Sequence, residues 1–218
     1  MKNLTGLLLI FFVTMYYHHT NAQTFAIKGG LNLANMLDKD DDDKYSDDWP
    51  VHLGLNFGCT MDVPINEFLS FEPGLLLTTK GTETVDRGRG FEIKARVNLY
   101  YLDIPLTIKT AFEVEKGIKM YGAFGPYLGV GLSGQANARL FYQGKYETIE
   151  EVVKWGSDED EDHFRRSELG VTFGAGMELK SILLGVSCDI GLSNIAAKKD
   201  NGLTAKNRVF KCSVGYRL

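Results

Sequence analysis

The chain has 218 residues, of which 24 are glycine and only 5 are proline, with 44% hydrophobic and 24% charged residues. This length and apolar content suit one folded domain and exclude both disorder and a collagen-like repeat. The formal net charge of -4, without a basic stripe along the chain, argues against nucleic acid as a partner.

The N-terminus has the layout of a secretory signal peptide. Lys2 supplies the positive start, Leu4 to Met15 form an apolar run, and Thr20, Asn21 and Ala22 lead to a cleavage point before Gln23. The apolar run is too short to span a bilayer as a helix. We therefore expect residues 1–22 to be a cleaved signal peptide, rather than an anchor helix, and residues 23–218 to form the mature domain.

Beyond residue 22, apolar residues recur at every second position, which is typical of two-faced β-strands. The clearest case is Val51 to Val63, where seven apolar positions alternate with polar or small residues. The same period is found in seven further segments, at 25–33, 71–77, 100–108, 118–132, 169–179, 182–192 and 210–218. The sequence thus predicts eight strands and no helix. Phe91 to Val97 alternates in the opposite phase to Tyr100 onward, which indicates a bulge or an extension of the fourth strand.

The connections between these strands alternate in length. Residues 35–50, 80–96, 133–167 and 193–206 form long connections, whereas 64–67, 110–117 and 180–181 form short or moderate ones. Long loops at one end and short turns at the other are typical of outer-membrane barrels. We therefore predict an all-β, eight-stranded antiparallel up-and-down transmembrane β-barrel with long extracellular loops and short periplasmic turns.

The polar face of the strands decides between a membrane barrel and a soluble, lipocalin-like barrel. This face is mostly Gly, Ser, Asn and Thr, whereas a water-exposed outer surface would carry long charged side chains. An eight-stranded barrel has an interior just wide enough for its side chains, so glycines there leave room for Tyr101, Tyr121 and Tyr127. The opposite face lacks charges over long stretches, as a lipid-facing band requires. We therefore place the small polar residues in the lumen.

The predicted inner face carries five acids and five bases. Because a buried charge without a partner is strongly unfavourable, we predict that they form a salt-bridge network that fills the lumen. The residues of this network are Lys28, Glu72, Asp103, Lys109, Lys119, Glu168, Glu178, Asp189, Lys211 and Arg217.

The last hairpin can be placed in register if its centre lies near Asp200. Asp189 and Lys211 then lie directly opposite each other inside the barrel, and Cys188 and Cys212 lie opposite each other on the lipid side. That pair would be within reach of a disulfide, but free thiols are the favoured interpretation. The odd number of cysteines argues against a disulfide framework.

Four short motifs resemble the outer-membrane β-barrel domain family of Gram-negative bacteria that includes PorT-like proteins and is often labelled "porin family". They are Phe25–Asn32, Tyr101–Leu106, Gly125–Gly129 and Val214–Leu218. The resemblance covers essentially the whole mature chain. It implies an eight-stranded barrel in the Gram-negative outer membrane, with the lipid bilayer and lipopolysaccharide as surroundings.

The resemblance also implies insertion by the outer-membrane assembly machinery, which reads an aromatic-alternating last strand. Phe210, Tyr216 and Leu218 would carry that signal, although Leu218 replaces the usual terminal Phe and Ser213 stands where Gly is common. The family has no general catalytic residues to transfer. Members that resemble PorT act as accessory factors in protein secretion.

Three functions follow as hypotheses. The first is a non-enzymatic barrel of structural or interaction type, whose acidic loops face outside and meet an envelope protein. The second is a narrow channel for small solutes, and the third a PorT-like accessory factor in protein secretion. An enzyme is disfavoured because His163, which directly follows the acidic stretch Asp158–Asp162, is the only loop histidine.

We expect no catalytic residue, cofactor or metal site. The acidic stretch Asp38–Asp43 could attract divalent cations, but Asp43 and Trp49 replace the Gly and Glu that a calcium loop has at its sixth and twelfth positions. A solvated, like-charged loop is the favoured interpretation.

Overall fold

The computed structural model describes residues 23–39, 51–88, 91–142, 145–158, 161–197 and 203–218. The proposed signal peptide and the acidic residues from Asp40 to Asp48 lie outside this part of the chain. Within it, the structure forms the strands β1 (Thr24–Lys39), β2 (His52–Pro64), β3 (Leu69–Gly88), β4 (Phe91–Glu115), β5 (Ile118–Tyr142), β6 (Lys145–Val152), β7 (Ser167–Leu179), β8 (Ile182–Gly191) and β9 (Thr204–Arg217). None of the described residues forms a helix long and apolar enough to cross a membrane.

Eight of these strands form a closed antiparallel ring. The order is β4-β3-β2-β1-β9-β8-β7-β5, and β5 pairs with β4 to close it. The predicted eight-stranded up-and-down barrel is therefore confirmed. The remaining strand, β6, pairs with the upper half of β5 and stands outside the ring.

The short turns lie together at one end of the barrel. Gly117 and Lys180 adopt positive φ angles of 82° and 57°, as the tight β4–β5 and β7–β8 turns require. The Lys180 amide donates to the Gly117 carbonyl over 3.0 Å. The two ends of the described chain also meet here, because the Leu218 amide donates to the Phe25 carbonyl over 2.8 Å.

At the opposite end, the long connections predicted at 80–96 and 133–167 are largely strand. β3 continues to Gly88, β4 starts at Phe91, and β5 continues to Tyr142 before β6 turns back along it. Together these parts of β3, β4, β5 and β6 form a sheet, here called the outer sheet, that projects beyond the ring.

The opposite alternation of Phe91–Val97 and of the segment from Tyr100 onward has a physical cause, which is this projection of β4 beyond the ring. Val97, Leu99, Tyr101 and Asp103 all lie on the inner face of β4, so the strand itself does not change phase. What changes is the chemistry, since inside the ring the inner face is polar and above it the inner face is apolar. The bulge is in the partner strand β5, where Tyr100 pairs with Ser133 but Tyr101 pairs with Gly131.

The outer surface of the ring is an apolar belt. Large hydrophobic side chains are exposed on every strand of the ring, among them Leu31, Leu55, Leu77, Ile108, Phe124, Phe173, Val186 and Val214. The inner positions are instead small or polar, as predicted. A Cβ atom on Gly185 would collide with the Tyr121 hydroxyl, and one on Gly170 would collide with the Tyr127 ring. These glycines therefore make room for the lumen tyrosines.

Candidate functional site

The lower lumen, on the side of the short turns, is held by a cluster of three bases and three acids. Lys109 of β4 lies at its centre, 3.3 Å from Glu72 Oε2 and 2.8 Å from Glu178 Oε1, and it also contacts Asp62. Lys28 pairs with Glu72 over 2.7 Å, and Arg217 pairs with Glu178 over 2.7 Å. The charges come from β1, β2, β3, β4, β7 and β9, so this cluster ties most of the ring together.

The upper lumen is centred on Lys80, which is 0% exposed. Its Nζ lies 2.8 Å from Asp103 Oδ1 and 3.1 Å from Glu168 Oε2. The same Nζ lies 4.6 Å from the ring centroids of both Tyr101 and Tyr127, within the range of cation–π attraction. Lys80 is thus held by two carboxylates and two aromatic faces.

Lys211 completes this upper cluster, 2.5 Å from Asp189 Oδ2 and 3.6 Å from Asp103 Oδ2. The cluster therefore has three carboxylates and two ammonium groups. Glu168 receives further hydrogen bonds, from the Tyr127 hydroxyl over 2.7 Å and from Asn207 Nδ2 over 2.9 Å. Such bonds to a buried carboxylate compensate for lost hydration.

A cavity of about 90 Å³ remains between the two clusters, bordered by Lys28, Glu72, Asp103, Tyr121 and Lys211. A space of this size accommodates a few water molecules. The lumen is therefore filled by side chains, with room for isolated waters but not for a wide aqueous pore.

Above the upper cluster, apolar side chains close the mouth of the barrel. This group, here called the outer plug, is centred on Leu99, Tyr101 and Ile195, each 0% exposed. Its other members are Met36, Val97, Val153, Trp155, Phe164, Ala196, Leu203 and Ala205. Trp155 packs edge-on against Tyr101, with ring centroids 5.5 Å apart.

Backbone hydrogen bonds hold the segments that supply the outer plug. The Arg165 amide donates to the Ile195 carbonyl over 2.7 Å, and the Gly131 amide donates to the Arg166 carbonyl over 2.7 Å. The segments after β6 and after β8 are thereby tied to each other and to β5. The plug is a built part of the fold and not a loosely placed loop.

The structure brings nine of the ten predicted lumen charges into ion pairs: Lys28, Glu72, Asp103, Lys109, Glu168, Glu178, Asp189, Lys211 and Arg217. The tenth, Lys119, is exposed near the short turns. Sequence reasoning missed Lys80 and Asp62. Both lie on the polar face of their strands, since Lys80 is two positions beyond Thr78 and Asp62 two beyond Thr60. Extending the alternation of the strands by one step would have predicted both as lumen charges.

The register of the last hairpin differs from the prediction by two residues. Val186 pairs with Cys212, and Cys188 pairs with Phe210, so the expected facing pair of cysteines was wrong. Cys59, Cys188 and Cys212 are all free thiols. Asp189 lies opposite Val209 and reaches Lys211 along the diagonal instead of directly across.

Phe210, Tyr216 and Leu218 all lie on the outer surface, exposed by 42%, 57% and 71%. This placement is the one that an assembly signal read from outside the barrel would need. Its role in assembly stays a prediction.

Two titratable groups lie beyond the apolar belt, at the outer end of β2 and in the outer sheet. Burial lowers the pKa of His52, and the nearby Arg96 guanidinium lowers it further. Hydrogen bonds from Lys94 and Arg96 hold the pKa of Glu83 below its usual range.

Within the described ranges, no three His, Cys, Asp or Glu side chains come together to hold a metal ion. His163 is exposed, and its Nδ1 accepts a hydrogen bond from the Lys154 amide over 3.1 Å. Its Nε2 lies 3.5 Å from Glu151 Oε1. The contacts of this histidine tie the segment after β6 to the end of that strand.

The ring of eight strands, the apolar belt and the filled polar lumen define a small transmembrane β-barrel. The chain belongs to the family described as "Outer membrane protein beta-barrel domain", whose model matches residues 21–197. The protein accordingly resides in the outer membrane of a Gram-negative bacterium. The finer resemblance to PorT-like proteins stays a prediction.

Several solved structures are similar to this chain at low identity. Ail, the attachment invasion locus protein of Yersinia pestis, is 16% identical over 89% of this chain and 98% of Ail, with a TM-score of 0.33. Neisserial surface protein A is 11% identical over 89% and 97% of the two chains, with a TM-score of 0.44. The outer membrane protein OprG from Pseudomonas aeruginosa is 14% identical over 90% and 96%, with a TM-score of 0.44. No curated protein matches the chain.

Proposed function

We propose that this protein is a non-catalytic, non-conducting outer-membrane barrel of structural or interaction type that acts through its extracellular surface. The observation that carries the proposal is the double closure of the lumen. Ion pairs cross the ring at two levels, and the outer plug covers the upper level. A narrow channel for small solutes would have to open both the ion-pair clusters and the outer plug. Breaking the buried ion pairs would cost several kcal/mol each.

The outer sheet supplies a surface for interaction. β6 forms its hydrogen bonds with β5 along one edge, and no other strand of the described chain pairs with β6. Its apolar side chains are open to solvent, with Tyr146 exposed by 77%, Ile149 by 65% and Val152 by 71%. An open strand edge of this kind is a template for pairing with another polypeptide.

The charge of this edge favours a basic partner. Glu147, Glu150 and Glu151 are all exposed on β6, and Asp158 and Glu161 follow in the next segment. Two copies of β6 paired with each other would bring such glutamates together, which disfavours self-association through this strand. An accessory role in protein secretion would use the same surface.

Solute flux into liposomes tests the proposal. Liposomes containing the refolded protein are placed in an isotonic pentose solution, and swelling is followed by light scattering. We expect the same rate as for protein-free liposomes, with a general diffusion porin as the positive control. Swelling comparable to that of the porin would contradict the proposal and favour the channel.

A further inference from the structure

A second cavity, here called the lower vestibule, opens at the end of the barrel that carries the short turns. It has a volume of about 160 Å³. Its inner wall includes Lys109 and Glu178 of the lower charge cluster, and its rim includes the turn between β2 and β3. Because the short turns of an outer-membrane barrel face the periplasm, the vestibule opens to the periplasm.

Lys119 of β5 borders the vestibule with an ammonium group that has no partner among the described residues. Two carboxylates lie directly opposite it in the sheet, Glu113 on β4 and Glu178 on β7. Glu178 already holds two cations of the lower cluster, at 2.8 and 2.7 Å. Glu113 Oε1 accepts a hydrogen bond from the Gly117 amide over 3.0 Å. Both neighbouring acids are therefore engaged elsewhere, and Lys119 remains available to a ligand.

Arg217 adds a second cation to the same wall. It contacts Glu178 Oε2 at 2.7 Å and Asp62 Oδ2 at 4.0 Å, in both cases through Nη2. A guanidinium group has five N–H donors, so donors of Arg217 remain for an incoming anion. Because Glu178 lies opposite Lys119 and contacts Arg217, the two cations border the same part of the wall.

The turn between β2 and β3 supplies an acid and an apolar surface. Glu67 is exposed, borders the vestibule and joins no salt bridge with another described residue. Phe68 also borders the vestibule and is exposed by 61%. Asn66 Oδ1 accepts hydrogen bonds from the Phe68 and Leu69 amides over 3.1 and 2.8 Å. These bonds fix the backbone that carries the acid and the aromatic ring.

We propose that the lower vestibule binds an amino-acid zwitterion of the cell wall, namely the free end of diaminopimelate in a peptidoglycan peptide. The carboxylate of this group pairs with Lys119 and with the remaining donors of Arg217, and its ammonium group pairs with Glu67. Its methylene chain packs against Phe68. A ligand with only negative charges would be repelled by Glu67, and one with only positive charges by the two cations.

The filled lumen favours a polymer over a free solute as the ligand. A solute bound in the vestibule cannot pass the two charge clusters above it, so such a site would not serve transport. The cell wall, in contrast, stays in the periplasm beneath the outer membrane. This choice of ligand rests on the closed barrel of the proposed function, whereas binding in the vestibule does not depend on it.

Titration calorimetry of the refolded protein in detergent measures the binding of free diaminopimelate. Pimelate, which lacks the ammonium groups, and cadaverine, which lacks the carboxylates, are the comparison ligands. The variants are Lys119→Gln and Glu67→Gln. Lys116→Gln is the matched control, because Lys116 is an exposed lysine at the same end of the barrel and does not border the vestibule. Heat-dependent gel mobility checks that each variant is folded.

We expect Lys119→Gln to weaken the binding of diaminopimelate at least about tenfold, as the loss of a charged hydrogen bond predicts. Glu67→Gln should weaken diaminopimelate binding but strengthen pimelate binding, because only diaminopimelate offers an ammonium group. Lys116→Gln should leave both affinities unchanged. Failure of the native protein to bind diaminopimelate would overturn the proposal. Unchanged binding by Lys119→Gln would do the same, as would equal affinities for diaminopimelate, pimelate and cadaverine.

Co-sedimentation with isolated cell-wall sacculi tests the polymer as the ligand. We expect the native protein to sediment with sacculi, and acetylation of their free amino groups or the Lys119→Gln change to abolish sedimentation. Binding of diaminopimelate without this sedimentation would overturn the assignment to the cell wall and leave a site for free amino acids. The liposome swelling assay reports on the closed lumen separately, so failure of one proposal is distinguishable from failure of the other.

Discussion

The Nζ of Lys80 lies 2.8 Å from Oδ1 of Asp103, and both side chains are hidden from solvent. This pair lies where the polar lumen meets the apolar outer plug, since Tyr101 belongs to the plug and also faces the Lys80 ammonium. One buried cation therefore joins β3, β4 and β7 and supports the group that closes the mouth.

Replacing Lys80 with Met should strongly destabilise the barrel. The change leaves Asp103 and Glu168 buried without their shared cation, and breaking a buried pair in this way costs about 3–5 kcal/mol. Unfolding of the refolded protein in urea, followed by tryptophan fluorescence, measures the loss. Lys94→Met is the matched control, because Lys94 and Glu83 form a partly exposed pair that contributes about 1 kcal/mol or less. Equal effects of the two variants would contradict the account of the lumen.

Gly185→Ala should destabilise the barrel by about 1–3 kcal/mol through overpacking. The added Cβ would collide with the Tyr121 hydroxyl, while its other neighbours lie 3.6 Å away. Removing that hydroxyl with Tyr121→Phe should therefore restore much of the loss in the double variant. Gly122→Ala, whose Cβ would have its nearest neighbour at 3.9 Å, is the neutral control. A double variant as unstable as Gly185→Ala would show that the tyrosine does not determine the need for glycine.

The register of β8 and β9 can be tested with a disulfide. Val186 lies opposite Cys212, so Val186→Cys combined with Cys188→Ser should form a disulfide under mild oxidation. The native protein should not, because Cys188 lies diagonally from Cys212, a separation of about 7–8 Å. Alkylation of the denatured protein and mass measurement count the free thiols. A disulfide between Cys188 and Cys212 in the native protein would show that the centred hairpin is the true register.

His52 should contribute to a loss of stability in mild acid. Its pKa in the folded protein lies below the ordinary value of 6.5, so the unfolded chain takes up the proton first as pH falls. The contribution of His52 to the free energy of unfolding is therefore fully present above about pH 6.5. It declines as the pH falls from there to the pKa of His52 in the folded protein. The thermal midpoint of the His52→Gln variant should therefore change less between pH 7 and pH 5 than that of the native protein. If the thermal midpoints of the native protein and the variant fall equally between pH 7 and pH 5, His52 does not contribute to the acid sensitivity.

The ring itself was predictable because every ring strand obeys one rule inside the membrane. Leu53 to Val63 must expose one face to lipid and turn the other to a crowded lumen, so alternation determines both the strand and its faces. The same rule placed most lumen charges, because acids and bases on the polar face had to be buried together.

The rule fails where the chain leaves the lipid. Above Tyr100 the inner side chains Leu99 and Val97 pack into the outer plug, while the outward positions carry Asn98, Arg96 and Lys94, so the apolar residues change sides. Residues 80–96 were consequently predicted to form a long connection although most of them are strand. For the same reason Lys80 was not predicted to lie in the lumen. The plug could not be predicted, because Trp155, Phe164 and Ile195 come from segments that only the fold brings together.

Placing the centre of the last hairpin near Asp200 gave an incorrect register, and the expected charge pair could not correct it. Lysine and aspartate side chains are long enough to meet diagonally as well as directly across, so an expected Asp189–Lys211 pair does not distinguish registers two residues apart.

Conductance across a planar bilayer tests the central claim of a closed lumen most directly. The refolded protein is inserted into the bilayer and recorded over a range of voltages, with a general diffusion porin as the control. We predict no ion current above that of the bare bilayer, because both charge clusters and the outer plug obstruct the path. Steady unit conductance steps from the native protein would contradict the account.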